Sequence, residues 1–268
     1  MAADPATDLV LAERRGAVLV LTLNRPERLN AWTDALEARY YEHLDAAEAD
    51  PEVRAIVLTG AGRGFCAGAD LDLLEDATGD DGVPDSIVNR PRPRNYPQTL
   101  RKPLIGAING PAAGLGFVEA CYCDVRFCVP GAKLTTAFVR RGLVAEYGVS
   151  WILPRLVGTS RALDLLLSGR VVLGEEAHRI GLVDYLADPE ELLDAAVAYA
   201  AELTANCSPA SMAVIKAQVQ RGLDQDFAEN YAESEQLIAD SFDRPDAAEG
   251  VDSYLEKRPP SFPPLPAP

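Results

Sequence analysis

The chain has 268 residues, 48% hydrophobic and 25% charged, a globular composition that excludes disordered, collagen-like and coiled-coil chains. With 25 basic and 41 acidic residues its formal charge is −16, which excludes a function built on broad neutralisation of nucleic-acid phosphates. Cys66, Cys121, Cys123, Cys128 and Cys207 form no CxxC pair, so neither a disulfide framework nor a cysteine zinc site is expected.

In chain order, residues 9–14 and 17–23 are β-rich runs that flank Arg15-Gly16, the pattern of a hairpin. Thr33 is a suitable N-cap, and Leu36, Tyr40, Leu44 and Ala47 recur at helical spacing up to Asp50-Pro51. Residues 53–59 then form a continuous apolar run, as expected of a strand covered on both faces. Residues 76–96 are rich in Gly, Pro and Asp and include Arg90-Pro91-Arg92-Pro93-Arg94. This stretch is too long for a plain connector and is expected to form a flap, with its arginines in a solvated extended segment or closing over phosphates. The rhythm resumes with a strand at 104–108, a helix at 112–121 and a strand at 125–129. Such alternation implies an α/β architecture over residues 1–188. Residues 189–268 read as helices at 190–204, 209–221, 227–242 and 247–257, followed by a proline-rich tail. Leu237, Ile238, Phe242, Val251, Tyr254 and Leu255 give this region apolar faces that need cover from another subunit or from the chain's own core.

No apolar run approaches the roughly 20 residues of a membrane helix, and the acidic start of the chain lacks a signal-peptide core. The expectation is a cytoplasmic protein without membrane or nucleic-acid partners. His43 and His178 are the only histidines, so neither a metal site nor a serine-histidine triad is expected.

Two glycine-rich loops follow strands. The first, Thr59 to Leu71, holds Gly60, Gly62, Gly64 and Gly68, and the second runs from Asn109 to Gly116. The first has GxGxG spacing, which fits a dinucleotide-binding turn poorly. Loops of this kind expose backbone N–H groups, and two converging helix starts can aim one amide each at a single oxygen. The alternative is a pair of tight turns whose glycines merely permit positive φ.

The chain resembles the crotonase superfamily, the enoyl-CoA hydratase/isomerase family. The resemblance rests on Asn24-Arg25-Pro26 with Asn30-Ala31, Phe65-Cys66-Ala67-Gly68-Ala69-Asp70-Leu71, Asn109-Gly110-Pro111-Ala112-Ala113-Gly114-Leu115-Gly116, Cys123-Asp124, Arg155-Leu156-Val157-Gly158, residues 177–183 and Glu256-Lys257-Arg258. It implies a spiral of ββα repeats with a C-terminal helical trimerisation region, assembled as a homotrimer or dimer of trimers. It also implies an acyl-CoA thioester substrate, with coenzyme A entering as part of that substrate and no separate cofactor. By motif position the thioester oxygen would meet the amides of Ala69 and Leu115. Arg28, Ala67, Leu71, Tyr254 and Lys257 match coenzyme A-binding positions, the last two reaching a neighbouring subunit. Asp72 stands where a basic residue is common.

At the two positions that carry glutamates in the family's hydratases this chain has Val118 and Phe138. Glu119 is one residue away, a rotation of about 100° on a helix, and is an alternative base. Glu146, in Gly142-Leu143-Val144-Ala145-Glu146-Tyr147-Gly148, matches the catalytic carboxylate of the family's double-bond isomerases. Burial against Phe138, Val144 and Trp151 is expected to raise its pKa. The resemblance thus implies isomerisation, with hydratase activity or non-catalytic acyl-CoA binding as alternatives.

Overall fold

A computed structural model describes residues 8–70, 75, 90 and 92–266. Strands β1 (Val10–Arg15) and β2 (Val18–Leu23) form the expected antiparallel hairpin, with Val18 opposite Arg15. Helix α1 (Asp34–Ala49) then carries the chain back so that β3 (Ala55–Gly60) pairs parallel to β2. Thr33 caps α1 by accepting a hydrogen bond from the Leu36 amide at 3.2 Å, and Leu36, Tyr40, Leu44 and Ala47 are all buried. A parallel pair requires a crossover of this kind.

Strands β4 (Leu104–Ile108), β6 (Val125–Cys128) and β9 (Tyr185–Leu186) extend the sheet in the order β1-β2-β3-β4-β6-β9. A second sheet comprises β5 (Ala112–Ala113), β7 (Lys133–Thr135) and β8 (Val172–Leu173). Strand β5 corrects the expected helix at 112–121. Ala112 and Ala113 pair with Leu134 and Thr135, Gly114 turns the chain at φ 50°, and α2 (Leu115–Tyr122) begins only there. Sheet pairing overrides the helical preference of two alanines.

Helices α3 (Val149–Val157), α4 (Thr159–Ser168) and α5 (Gly174–Arg179) complete the layered part. Helix α6 (Leu192–Asn206) lies across β2, β3, β4 and β6. Its buried Leu192, Ala196 and Ala200 belong to the main core, although the helix lies beyond residue 188. Helices α7 (Pro209–Gly222), α8 (Phe227–Phe242) and α9 (Pro245–Glu256) are less covered. Helix α8 buries none of its residues, and Phe242, Val251, Tyr254 and Leu255 are exposed. Among the described residues no helix is long and apolar enough to cross a membrane.

Candidate active site

The two glycine-rich loops are stitched together. Asn109 donates to the carbonyls of Gly60 and Gly62 at 2.8 and 3.0 Å and accepts from the Gly60 amide. Phe65 and Cys66 both donate to the Pro111 carbonyl, and the Ala113 amide returns a bond to Cys66. Asn30 holds the first loop from beneath by donating to Ala61 and Gly64.

Along the first loop the Gly68 carbonyl accepts from the Trp32 amide at 2.7 Å, and the Asp70 amide donates to the Trp32 carbonyl at 2.9 Å. The Gly68 carbonyl and the Ala69 N–H belong to one trans peptide and point opposite ways, so the N–H of Ala69 points away from Trp32. Leu115 opens that helix, where backbone N–H groups lack intrahelical partners and carry partial positive charge. Among the described residues neither amide meets an acceptor. Gly68, at φ 98°, lets the loops approach: a Cβ on it would lie 2.7 Å from the Ala113 carbonyl oxygen and 3.7 Å from the Leu115 nitrogen.

A cavity of about 30 Å³ is lined by Ala67, Gly68, Ala69, Gly114, Leu115, Phe138, Arg141, Leu143 and Glu146. The structure therefore brings Ala69, Leu115 and Glu146 around one small space. Glu146 is half-buried, and burial pushes its carboxyl above the usual glutamate range, with Arg94 and Arg141 opposing the rise. Its cover differs from expectation. Phe138 is buried beside it, but Val144 is 81% exposed and Trp151 lies partly exposed beneath the Arg155 guanidinium. Val144 lies in an irregular segment, where no strand or helix period turns its side chain inward.

Val118 is fully buried. Glu119 is also fully buried but does not line the amide cavity. Desolvation drives its pKa well above the glutamate range, the nearby Glu37 adds to the rise, and Arg94 opposes it. Neither carboxyl oxygen has a hydrogen-bond partner among the described residues.

The arginine segment is a second departure. Instead of lying solvated or free to meet phosphates, Arg90 and Arg94 both pair with the buried carboxylate of Glu37, which also accepts from the Trp32 indole at 2.9 Å. Arg92 pairs with Asp45 at 2.8 Å and covers the Tyr96 ring at 4.2 Å. Glu37 was missed because an acid in a helix's first turn reads as a dipole partner, and its arginines come from 53 and 57 residues away.

Arg28 is exposed at the end of the turn Pro26–Arg28, and the neighbouring Leu29 carbonyl accepts from the Ala67 amide at 2.9 Å. Tyr254 and Lys257 are exposed at the end of α9 and do not line the amide cavity. Leu71, Asp72 and most of the expected flap lie outside the described residues.

Residues 13–264 match the enoyl-CoA hydratase/isomerase family. The chain is 37% identical over 268 residues to the 1,2-epoxyphenylacetyl-CoA isomerase of Escherichia coli strain K12, covering 95% of this chain and 98% of that protein. It is 33% identical over 251 residues to the short-chain-enoyl-CoA hydratase of Clostridium acetobutylicum, covering 93% and 95%. The crystal structure of an enoyl-CoA hydratase from Polaromonas sp. JS666 superposes with a TM-score of 0.88 at 30% identity, covering 94% and 99%. The chain belongs to the enoyl-CoA hydratase/isomerase family, with the crotonase fold, and is an enzyme of that family.

Proposed function

We propose that this enzyme moves a carbon–carbon double bond in an enoyl-CoA thioester, with Glu146 as its single acid/base. The observation that supports this reading is that Glu146 lines one cavity together with Ala69 and Leu115, while Val118 and Phe138 supply no carboxylate. The thioester oxygen accepts from both amides. The Glu146 carboxylate takes a proton from C2 of a 3-enoyl thioester, and negative charge spreads onto that oxygen as a dienolate. Glu146 then returns the proton to C4, leaving the double bond between C2 and C3. Each amide donor is worth about 3 kcal/mol to the charged state. A carboxyl held above its usual pKa suits both halves of this transfer.

Coenzyme A is part of the substrate and no separate cofactor is required. Arg28 and Ala67, with Leu71, would meet the coenzyme A portion near the first loop. Tyr254 and Lys257 would reach the coenzyme A site of a neighbouring subunit in a homotrimer or dimer of trimers, a role that suits their exposed position. The E. coli relative is named as a CoA-thioester isomerase, in keeping with this reading. Hydration is the second reading, favoured by the name of the C. acetobutylicum relative. It requires an activated water, and the apolar Val118 and Phe138 give that water no base.

The test offers trans-3-hexenoyl-CoA and trans-2-hexenoyl-CoA separately to the wild type and to Glu146→Gln. Isomerisation of the first should fall by about 100- to 10,000-fold in the variant. Hydration of the second that survives in Glu146→Gln would assign the chemistry elsewhere.

A further inference from the structure

The loop that carries Glu146 is held in a costly shape. Tyr147, the next residue, has φ 50°, and Gly148 follows at φ 81°. A bulky L-residue in the left-handed region costs roughly 1 to 2 kcal/mol, so it persists only where its surroundings hold it. Two side chains do so. The Tyr122 hydroxyl donates to the Tyr147 carbonyl at 2.6 Å, and the Arg94 guanidinium lies 4.8 Å over the Tyr147 ring.

Both holders are anchored to elements that build the site. Tyr122 ends α2, whose first residue is Leu115, so a rigid helix about 10 Å long joins one amide donor to the Glu146 loop. Arg94 is buried and tied to α1 twice, through its pair with Glu37 and through its carbonyl, which accepts from the Tyr41 hydroxyl at 3.2 Å. We infer that Arg94 and Tyr122 are positioning residues for Glu146: one grips the ring of Tyr147 and the other its carbonyl, and together they hold the carboxylate against the paired amides.

The charges agree with the geometry. Arg94 and Arg141 are the cations that favour ionised Glu146. Arg94 is itself faced by Glu37 and Glu119, with Arg90 sharing Glu37. The inference rests on Glu146 being the acid/base of the proposed reaction.

The experiment measures trans-3-hexenoyl-CoA isomerisation by Tyr122→Phe, Arg94→Met, Arg94→Lys and Glu146→Gln across about pH 5 to 9. Tyr122→Phe removes one oxygen; it should melt near the wild type and lose roughly 10- to 100-fold in kcat with KM little changed. Arg94→Met removes a cation that favours the carboxylate, so the acidic limb of kcat/KM should move to higher pH, and Arg94→Lys should bring it back toward the wild type. A wild-type kcat in Tyr122→Phe with an unmoved limb in Arg94→Met, while Glu146→Gln is inactive, would overturn the inference and leave the proposed reaction standing. Wild-type isomerisation by Glu146→Gln would instead sink the assignment of Glu146, and this inference with it.

Discussion

Gly116 sits against Cys66 so closely that a Cβ on it would lie 2.2 Å from the Cys66 carbonyl oxygen. Gly116 follows Leu115 on α2, and Cys66 precedes the Ala67-Gly68-Ala69 run, so this contact sets the spacing of the two amides. The obstructing atom is backbone and cannot rotate aside. Gly116→Ala should therefore cost about 1 to 3 kcal/mol in stability and separate the donors, lowering kcat roughly 100-fold. Thermal melts and isomerisation kinetics of the same preparation check both, and wild-type values for each would show that the contact relaxes freely.

The pH profile follows from the raised Glu146 carboxyl. Ionised Glu146 is the form that accepts the C2 proton, so kcat/KM should fall as pH drops through its pKa. Because burial outweighs Arg94 and Arg141, that midpoint should lie above the ordinary glutamate value of 4.5. A rate profile that stays flat down to the ordinary value would exclude Glu146 as the group that titrates.

Glu119 is expected to influence stability, with little part in the chemistry. Burial, with Glu37 beside it, favours its neutral form in the fold at pH values where the unfolded chain ionises it. Its contribution is complete below the unfolded pKa and is lost as pH rises toward the folded value, by up to about 1.4 kcal/mol per pH unit. Glu119→Gln removes that dependence. Relative to wild type, the variant should gain stability as pH rises above about 4.5 in urea unfolding, with isomerisation kept within about threefold. Loss of isomerisation by the 100-fold or more expected of a missing base would restore Glu119 as a catalytic candidate.

The exposed faces of α8 and α9 bear on assembly. Phe242, Val251 and Leu255 are each more than half exposed, more apolar surface than isolated helices keep in water without a partner. In the assembly proposed above, Phe242→Asp with Leu255→Asp should shift the sedimentation coefficient to that of a monomer and, on the proposed role of Tyr254 and Lys257 at a neighbouring site, raise KM for the thioester. A wild-type chain that sediments as a monomer would remove the basis for that role.

Local signals proved readable wherever they were complete. Thr33 and the Leu36-Tyr40-Leu44-Ala47 stripe mark α1 because a cap and a helical period lie within a few turns of one another. Residues 227–242 form α8 as expected, with Asp226 and Glu229 closing a capping box at its start. The start of α2 was misread because Ala112 and Ala113 take their conformation from β7, some twenty residues away.

By itself, the sequence determined the α/β alternation, because helical period and strand runs are encoded within short windows, and its motifs carried the resemblance to the family, which in turn implied the candidate trio of Ala69, Leu115 and Glu146. Tertiary structure alone decided which groups surround that trio. It paired Arg90 and Arg94 with Glu37, exposed Val144, withdrew Glu119 into the core, and set Tyr122 and Arg94 on Tyr147. These are contacts between segments far apart in the chain, where burial and charge depend on packing that no local pattern records.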